Sequence, residues 1–140
     1  MNDHQIQLVR HSFALVAPIA DQAAALFYDK LFERDPSISK MFRGDMGQQG
    51  ARLMQMIEAA VQMLDRPAML RHALLRLGER HAGYGVVDAH YPLVGAALLD
   101  TLAVGLGDAF TAETREAWAA MYAMVVDAMR EGAAAAATPA

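Results

Sequence analysis

Apolar residues recur at intervals of three and four through most of this chain, the spacing that lines one face of an α-helix. The strict alternation that marks a β-strand is almost absent. The pattern therefore predicts an all-α fold, and prolines, glycines and capping residues divide it into helices. A first helix is expected from about Asp3 to Ala17, stopped by Pro18. A second, from about Ile19 to Glu33, carries Ala24, Phe27, Tyr28 and Leu31 on one side. Asp35 and Pro36 suit the start of a short turn that ends near Phe42. The run Arg43-Gly44-Asp45-Met46-Gly47 reads as a loop, after which Gln49, Leu53, Met56, Ile57 and Ala60 share one face of a helix reaching Leu64.

Pro67 fits the first turn of the next helix, which bears Leu70, Leu74, Leu77 and His81 at spacings of four, three and four and frays at Gly83 and Gly85. A fifth helix is expected to begin between Asp88, a possible cap, and Tyr91, and to end before Gly105-Leu106-Gly107. Thr111 caps a last helix that runs to about Arg130 with Trp118, Tyr122, Val125 and Met129 inward. The organisation is one domain, residues 1–131, followed by an alanine-rich tail, 132–140, with too little apolar side chain to dock and so expected to be disordered.

Composition narrows the chemistry. At 140 residues the domain is large enough to enclose a pocket of cofactor size. It has no cysteine, which excludes disulfides, thiolate-ligated metals and iron–sulfur clusters. A net charge of −4 without a basic stripe argues against nucleic-acid binding. The N-terminus lacks a basic-then-apolar leader pattern, and no apolar run reads as a membrane span, so a cytoplasmic protein without membrane insertion is expected. Arginine outnumbers lysine ten to two and alanine is abundant, a composition suggestive of a GC-rich bacterial genome.

The candidate chemistry centres on His81. An imidazole beside three leucines on an apolar face is either a hydrogen-bonded core residue or a metal ligand, and spacing leaves both open. The other histidines, His4, His11, His72 and His90, fall off this face. Ten methionines at helical spacing read as soft core filling, although Met46 and Met54 keep a His/Met electron-transfer site in view.

In this helix order, four segments carry a resemblance: Leu26-Phe27-Tyr28 with Leu31-Phe32 and Asp35-Pro36; Met41-Phe42; Gln49 through Val61; and Leu77 to Pro92 continuing into Leu93-Val94-Gly95. Together they resemble the globin family, and among globins the single-domain bacterial haemoglobins, neuroglobin and the globin part of flavohaemoglobins, over about Asp3 to Arg130. The resemblance implies a globin fold, a helical sandwich around haem b, with His81 as the proximal iron ligand and its second ring nitrogen held by a backbone carbonyl near Leu77. Phe42 would pack on the haem face. Tyr28 and Gln49 would occupy the distal positions, where a phenol and an amide can donate to the partial negative charge that oxygen acquires on ferrous haem. Gln48 is the rival of Gln49 if the register shifts by one. Leu53 would cover the distal site and Arg52 could reach a haem propionate or remain a surface charge. Tyr84, Val86, Tyr91, Val94 and Leu98 would edge the porphyrin.

Two departures from those relatives bear on function. Neuroglobin has a histidine where this chain has Gln49, so an open sixth coordination position is expected. The flavohaemoglobin pairing of a tyrosine like Tyr91 with a glutamate on the last helix falls here at Ala133, with Glu131 only nearby. The function implied is reversible oxygen binding, with nitric oxide and carbon monoxide as further haem ligands. Nitric-oxide dioxygenation would accompany it, forming nitrate and leaving ferric haem. No flavin or nicotinamide domain is evident, so a separate reductase is expected. The competing readings are a haem-based gas or redox sensor, a His/Met electron-transfer protein, and a haem-free helical bundle.

Overall fold

The computed structural model describes residues 1–42 and 44–137; Arg43 of the expected loop and residues 138–140 of the expected tail lie outside them. Six α-helices follow in order: α1 (Asp3–Val16), α2 (Ala20–Arg34), α3 (Met46–Gln62), α4 (Pro67–Gly83), α5 (His90–Leu106) and α6 (Ala112–Ala137). Short 3₁₀ turns occupy Ala17–Ile19, Pro36–Met41 and Gly107–Ala109, and no strand occurs among the described residues.

Local chemistry sets most helix ends. Asn2 and Gln5 form a reciprocal capping box at α1. The Asp35 carboxylate accepts from Ser37 N–H at 3.0 Å and starts the Pro36 turn. Asp45 accepts from the N–H groups of Gly47 and Gln48 and starts α3, and Thr111 Oγ1 accepts from Thr114 N–H at 3.2 Å to start α6.

Other boundaries differ from expectation. Helix α5 passes through Gly105 and stops at Gly107, because Gly107 has φ of +55° and supplies the left-handed reversal whereas Gly105 does not. Asp88 caps nothing. Its carboxylate lies 3.4 Å from Arg130 Nε, and Val87 N–H donates to His90 Nδ1 at the helix start instead. Met56 points to solvent, its place on the inner face taken by Met54. Helix α6 continues past Arg130 to Ala137. Gly132 is held there because its bare Cα lies against α4: a Cβ would stand 1.9 Å from the Leu75 carbonyl oxygen. From α4, Gly78 makes the matching approach, its Cβ position 2.0 Å from the Met129 carbonyl oxygen. The two glycines let α4 and α6 cross backbone to backbone.

The packing gives these consecutive helices different main partners. Helix α3 packs on α1 and α2, whereas α4 packs mainly on α6, and both reach one hydrophobic cluster, with Met54, Ile57 and Ala60 from α3 and Leu70, Leu74 and Leu77 from α4. Helix α5 packs against both α2 and α6. A stretch from His90 to Ala109 is in fact long and apolar enough to cross a membrane by length and composition. Within the fold, Tyr91, Gly95, Ala97, Thr101 and Leu102 of this helix are buried against neighbouring helices. At the far side Trp118, 1% exposed, donates from Nε1 to Ser12 Oγ at 2.8 Å and ties α6 to α1.

Candidate functional site

Helix α2, packed against α3, contributes Tyr28 to an aromatic cluster. The rings of Tyr28 and Phe42 meet edge to face at 5.1 Å, and Phe32 stacks on Tyr28 at 5.9 Å. Leu53, Leu93, Val94 and Leu98 pack around the same cluster. The Tyr28 hydroxyl donates to the Gln49 carbonyl at 3.3 Å, so α2 and the first turn of α3 are linked at this point. Close approach of the two helices there depends on Gly50, whose Cβ position is 2.8 Å from Ala24 Cβ. Burial raises the pKa of Tyr28, and the charge of Arg52 partly offsets this. Arg52 itself is exposed. Behind Leu53 and Leu98, towards Phe13, Phe27 and Trp118, lies an apolar cavity of about 20 Å³, the size of a single water-sized sphere.

His81 is half-buried near the end of α4. Its Nδ1 lies 2.9 Å from the Leu77 carbonyl oxygen. A carbonyl oxygen only accepts, so Nδ1 carries the proton and Nε2 of the neutral ring keeps the lone pair. Burial lowers the His81 pKa, the Leu77 hydrogen bond raises it and Arg80 lowers it, with a net shift downward. The neutral ring is thereby favoured. The His81 carbonyl in turn accepts from Tyr84 N–H at 3.0 Å and Val86 N–H at 3.1 Å, which folds the chain back at the positive-φ Gly85.

The structure thus gathers Tyr28, Phe42, Leu53, Val94 and Leu98 in one cluster, with the Gln49 backbone against Tyr28. Val86 packs on the larger core together with Leu77, and Leu98 belongs to both groups. Tyr91 is buried under the Arg130 guanidinium, 5.5 Å above its ring, and its carbonyl accepts from the Tyr122 hydroxyl at 2.7 Å. Glu131 is ion-paired with Arg71 and not with Tyr91. Tyr84 stands at the surface, 69% exposed, with its ring 6.0 Å from that of His81. Phe32 and Leu93, noted in the sequence only within the segments that carry the resemblance and not as site residues, pack in the same cluster. Phe32 follows Tyr28 by four residues, a helical spacing that could have placed it.

Among the described residues no three His, Asp or Glu side chains converge to hold a metal. A lone imidazole donor such as His81 can hold an iron only where a cofactor supplies the remaining donors.

The globin family model matches residues 25–129. The chain is 33% identical over 139 residues to neuroglobin of Danio rerio, covering 89% of this chain and 87% of that protein. It is 31% identical over 131 residues to the flavohemoprotein of Xylella fastidiosa, covering 91% of this chain but spanning only 33% of that protein. The Drosophila melanogaster globin structure superposes with a TM-score of 0.85 at 16% identity, covering 94% of each chain. The hexacoordinated heme protein of an anhydrobiotic tardigrade does so with 0.87 at 18% identity, covering 96% of each. Those two likenesses speak to fold. With the family model spanning most of the chain and the neuroglobin match nearly end to end, the chain belongs to the globin family, whose members bind haem.

Proposed function

We propose that this protein is a bacterial globin that holds haem b between α3 and α4 and binds oxygen reversibly, with nitric-oxide dioxygenation as an accompanying reaction when a separate reductase restores the ferrous state. The observation that carries the reading is the His81 geometry: a half-buried, neutral imidazole with Nδ1–H committed to Leu77 and Nε2 left as an electron-pair donor. The bound haem iron would supply the gas-ligating centre. The chain's part is to fix the imidazole, to surround the porphyrin with Phe42, Val86, Val94 and Leu98, and to exclude water with the aromatic cluster around Tyr28. Arg52 would pair with a propionate. Tyr84 and Tyr91 belong to the proximal edge, Tyr84 at its rim.

On the distal side, Tyr28 and Gln49 are the polar groups available to a gas ligand, with Leu53 as apolar cover. The Tyr28 hydroxyl reaches its present acceptor at 3.3 Å, long for an O–H···O bond, so the proton is readily redirected. Neither phenol nor amide is a good ligand to ferrous iron, which favours an open sixth position. A His/Met arrangement is less well supported, because Met46 is exposed and Met54 packs in the larger core.

Spectra of the reduced protein with and without oxygen test the proposal, together with nitrate yield when nitric oxide is added to the oxygenated form. A reversible spectral change and stoichiometric nitrate are expected. A six-coordinate low-spin ferrous spectrum that oxygen does not alter would favour the sensor or electron-transfer readings.

A further inference from the structure

Charge is unevenly placed along this acidic chain. Six of its twelve cations but only four of its sixteen acids lie between residues 43 and 83, a net +2, while the remainder carries −6. Within that segment Arg71 is tied to Glu131 and Asp65 to Arg10. Arg76 and Arg80 are exposed and have no ion pair among the described residues. They sit one turn apart on α4, a spacing at which like charges repel, while Arg80, in the last turn, is favoured by the negative end of the helix. Arg80 is close enough to His81 for its charge to act on the ring. The turn that follows exposes Tyr84 and Val87, 69% and 54% accessible. An apolar centre beside unpaired cations, next to the candidate iron ligand, is the make-up of a small transient protein interface.

We propose that the face formed by Arg76, Arg80, Tyr84 and Val87 docks an acidic one-electron carrier protein that reduces the site held by His81. The inference rests on the haem-globin reading above. In the transfer the carrier loses one electron and the ferric site gains it, with no bond made or broken in either protein. Overall charge repels an acidic partner, but at physiological salt screening acts over about 8 Å. The distant acidic body is then muted while the cations at the contact still steer.

The test uses purified flavodoxin, an acidic flavin protein, as the probe. Stopped-flow reduction of the ferric globin by flavodoxin hydroquinone should slow as salt rises from about 50 to about 500 mM. The double variant Arg76→Glu/Arg80→Glu should be about tenfold slower at the lowest salt and nearly insensitive to salt. Lys30→Glu/Arg115→Glu, with the same net charge change on α2 and α6, should stay within about twofold of the parent. Independently, oxidised flavodoxin should shift backbone amide resonances in residues 76–87 of the parent and not of the double variant, a readout that does not depend on haem. Equal slowing in both double variants would reduce the effect to net charge and overturn the proposal. So would an unchanged rate with faster haem loss in Arg76→Glu/Arg80→Glu, which would make the arginines propionate clamps. An absent Soret band would defeat the haem reading, and the amide shifts would still decide whether the face docks an acidic protein.

Discussion

Replacing Tyr28 by Phe isolates the contribution of a single hydroxyl. The substitution keeps the ring and its contacts with Phe27, Phe32 and Phe42. It removes a donor whose present bond, to the Gln49 carbonyl, is 3.3 Å long, about half an ångström beyond the usual O–H···O distance. A bond of that length contributes about 0.5 kcal/mol, whereas donation to a partly charged acceptor in a water-poor pocket contributes about 1.5 to 3 kcal/mol. Redirecting the proton from Gln49 to a bound oxygen ligand therefore gains about 1 to 2.5 kcal/mol, and the Phe variant forfeits it. The expected result is oxygen dissociation roughly five to seventy times faster. Carbon monoxide acquires little negative charge, so its dissociation should change far less. Stopped-flow displacement of oxygen by carbon monoxide measures both rates. An oxygen rate within about twofold of the parent would show that the hydroxyl stays on the Gln49 carbonyl and takes no part in ligand binding.

Gln49→Leu should also speed oxygen loss, by less than Tyr28→Phe. The double variant should fall short of the product of the two effects, because both donors address one acceptor; full additivity in the same assay would contradict this. Gly78→Ala should destabilise the protein by about 1 to 3 kcal/mol, because its methyl would meet the Met129 backbone at 2.0 Å and no side chain can rotate away. Thermal unfolding should show a fall of several degrees, and an unchanged midpoint would mean that α4 and α6 do not cross as described. The Asp35 carboxyl is held below its ordinary range first by the Ser37 hydroxyl and then by the Ser37 N–H. A lowered folded-state pKa adds stability that is fully present above about pH 4 and is lost as pH falls through the folded value. Asp35→Asn should therefore flatten the acid limb of a stability-against-pH curve, and an acid limb identical to the parent's would refute the assignment.

Much of the helix plan was legible because the breakers act locally. Pro18, Pro36 and Pro67 and the caps Asp35 and Thr111 do their work within three or four residues, so sequence reveals them. Gly105 and Gly107 look alike in sequence, and only the backbone shows which of them takes positive φ. The continuation of α6 through Gly132 was hidden for a related reason. What holds it is the absence of a side chain at a helix crossing, and composition read that same absence as a sign of fraying. Asp88 illustrates a third limit, since its partner Arg130 lies 42 residues away, beyond the reach of any local pattern. At the site, apolar periodicity placed His81 on the inner face, and the family resemblance pointed to a carbonyl near Leu77. The Tyr28 bond to Gln49 depends on the distance between α2 and α3, which the Gly50 contact sets and no local pattern encodes.

The central claim is that His81 is the protein's bond to haem iron, and the most direct measurement is the absorption spectrum of reduced, gas-free protein for the parent and for His81→Gly with and without added imidazole. The account predicts a five-coordinate high-spin ferrous spectrum for the parent, loss of most bound haem in the variant, and return of the parent spectrum when imidazole fills the space left by the side chain. A His81→Gly protein that keeps the parent's ferrous spectrum without imidazole, while His72→Gly or His90→Gly loses it, would contradict the account.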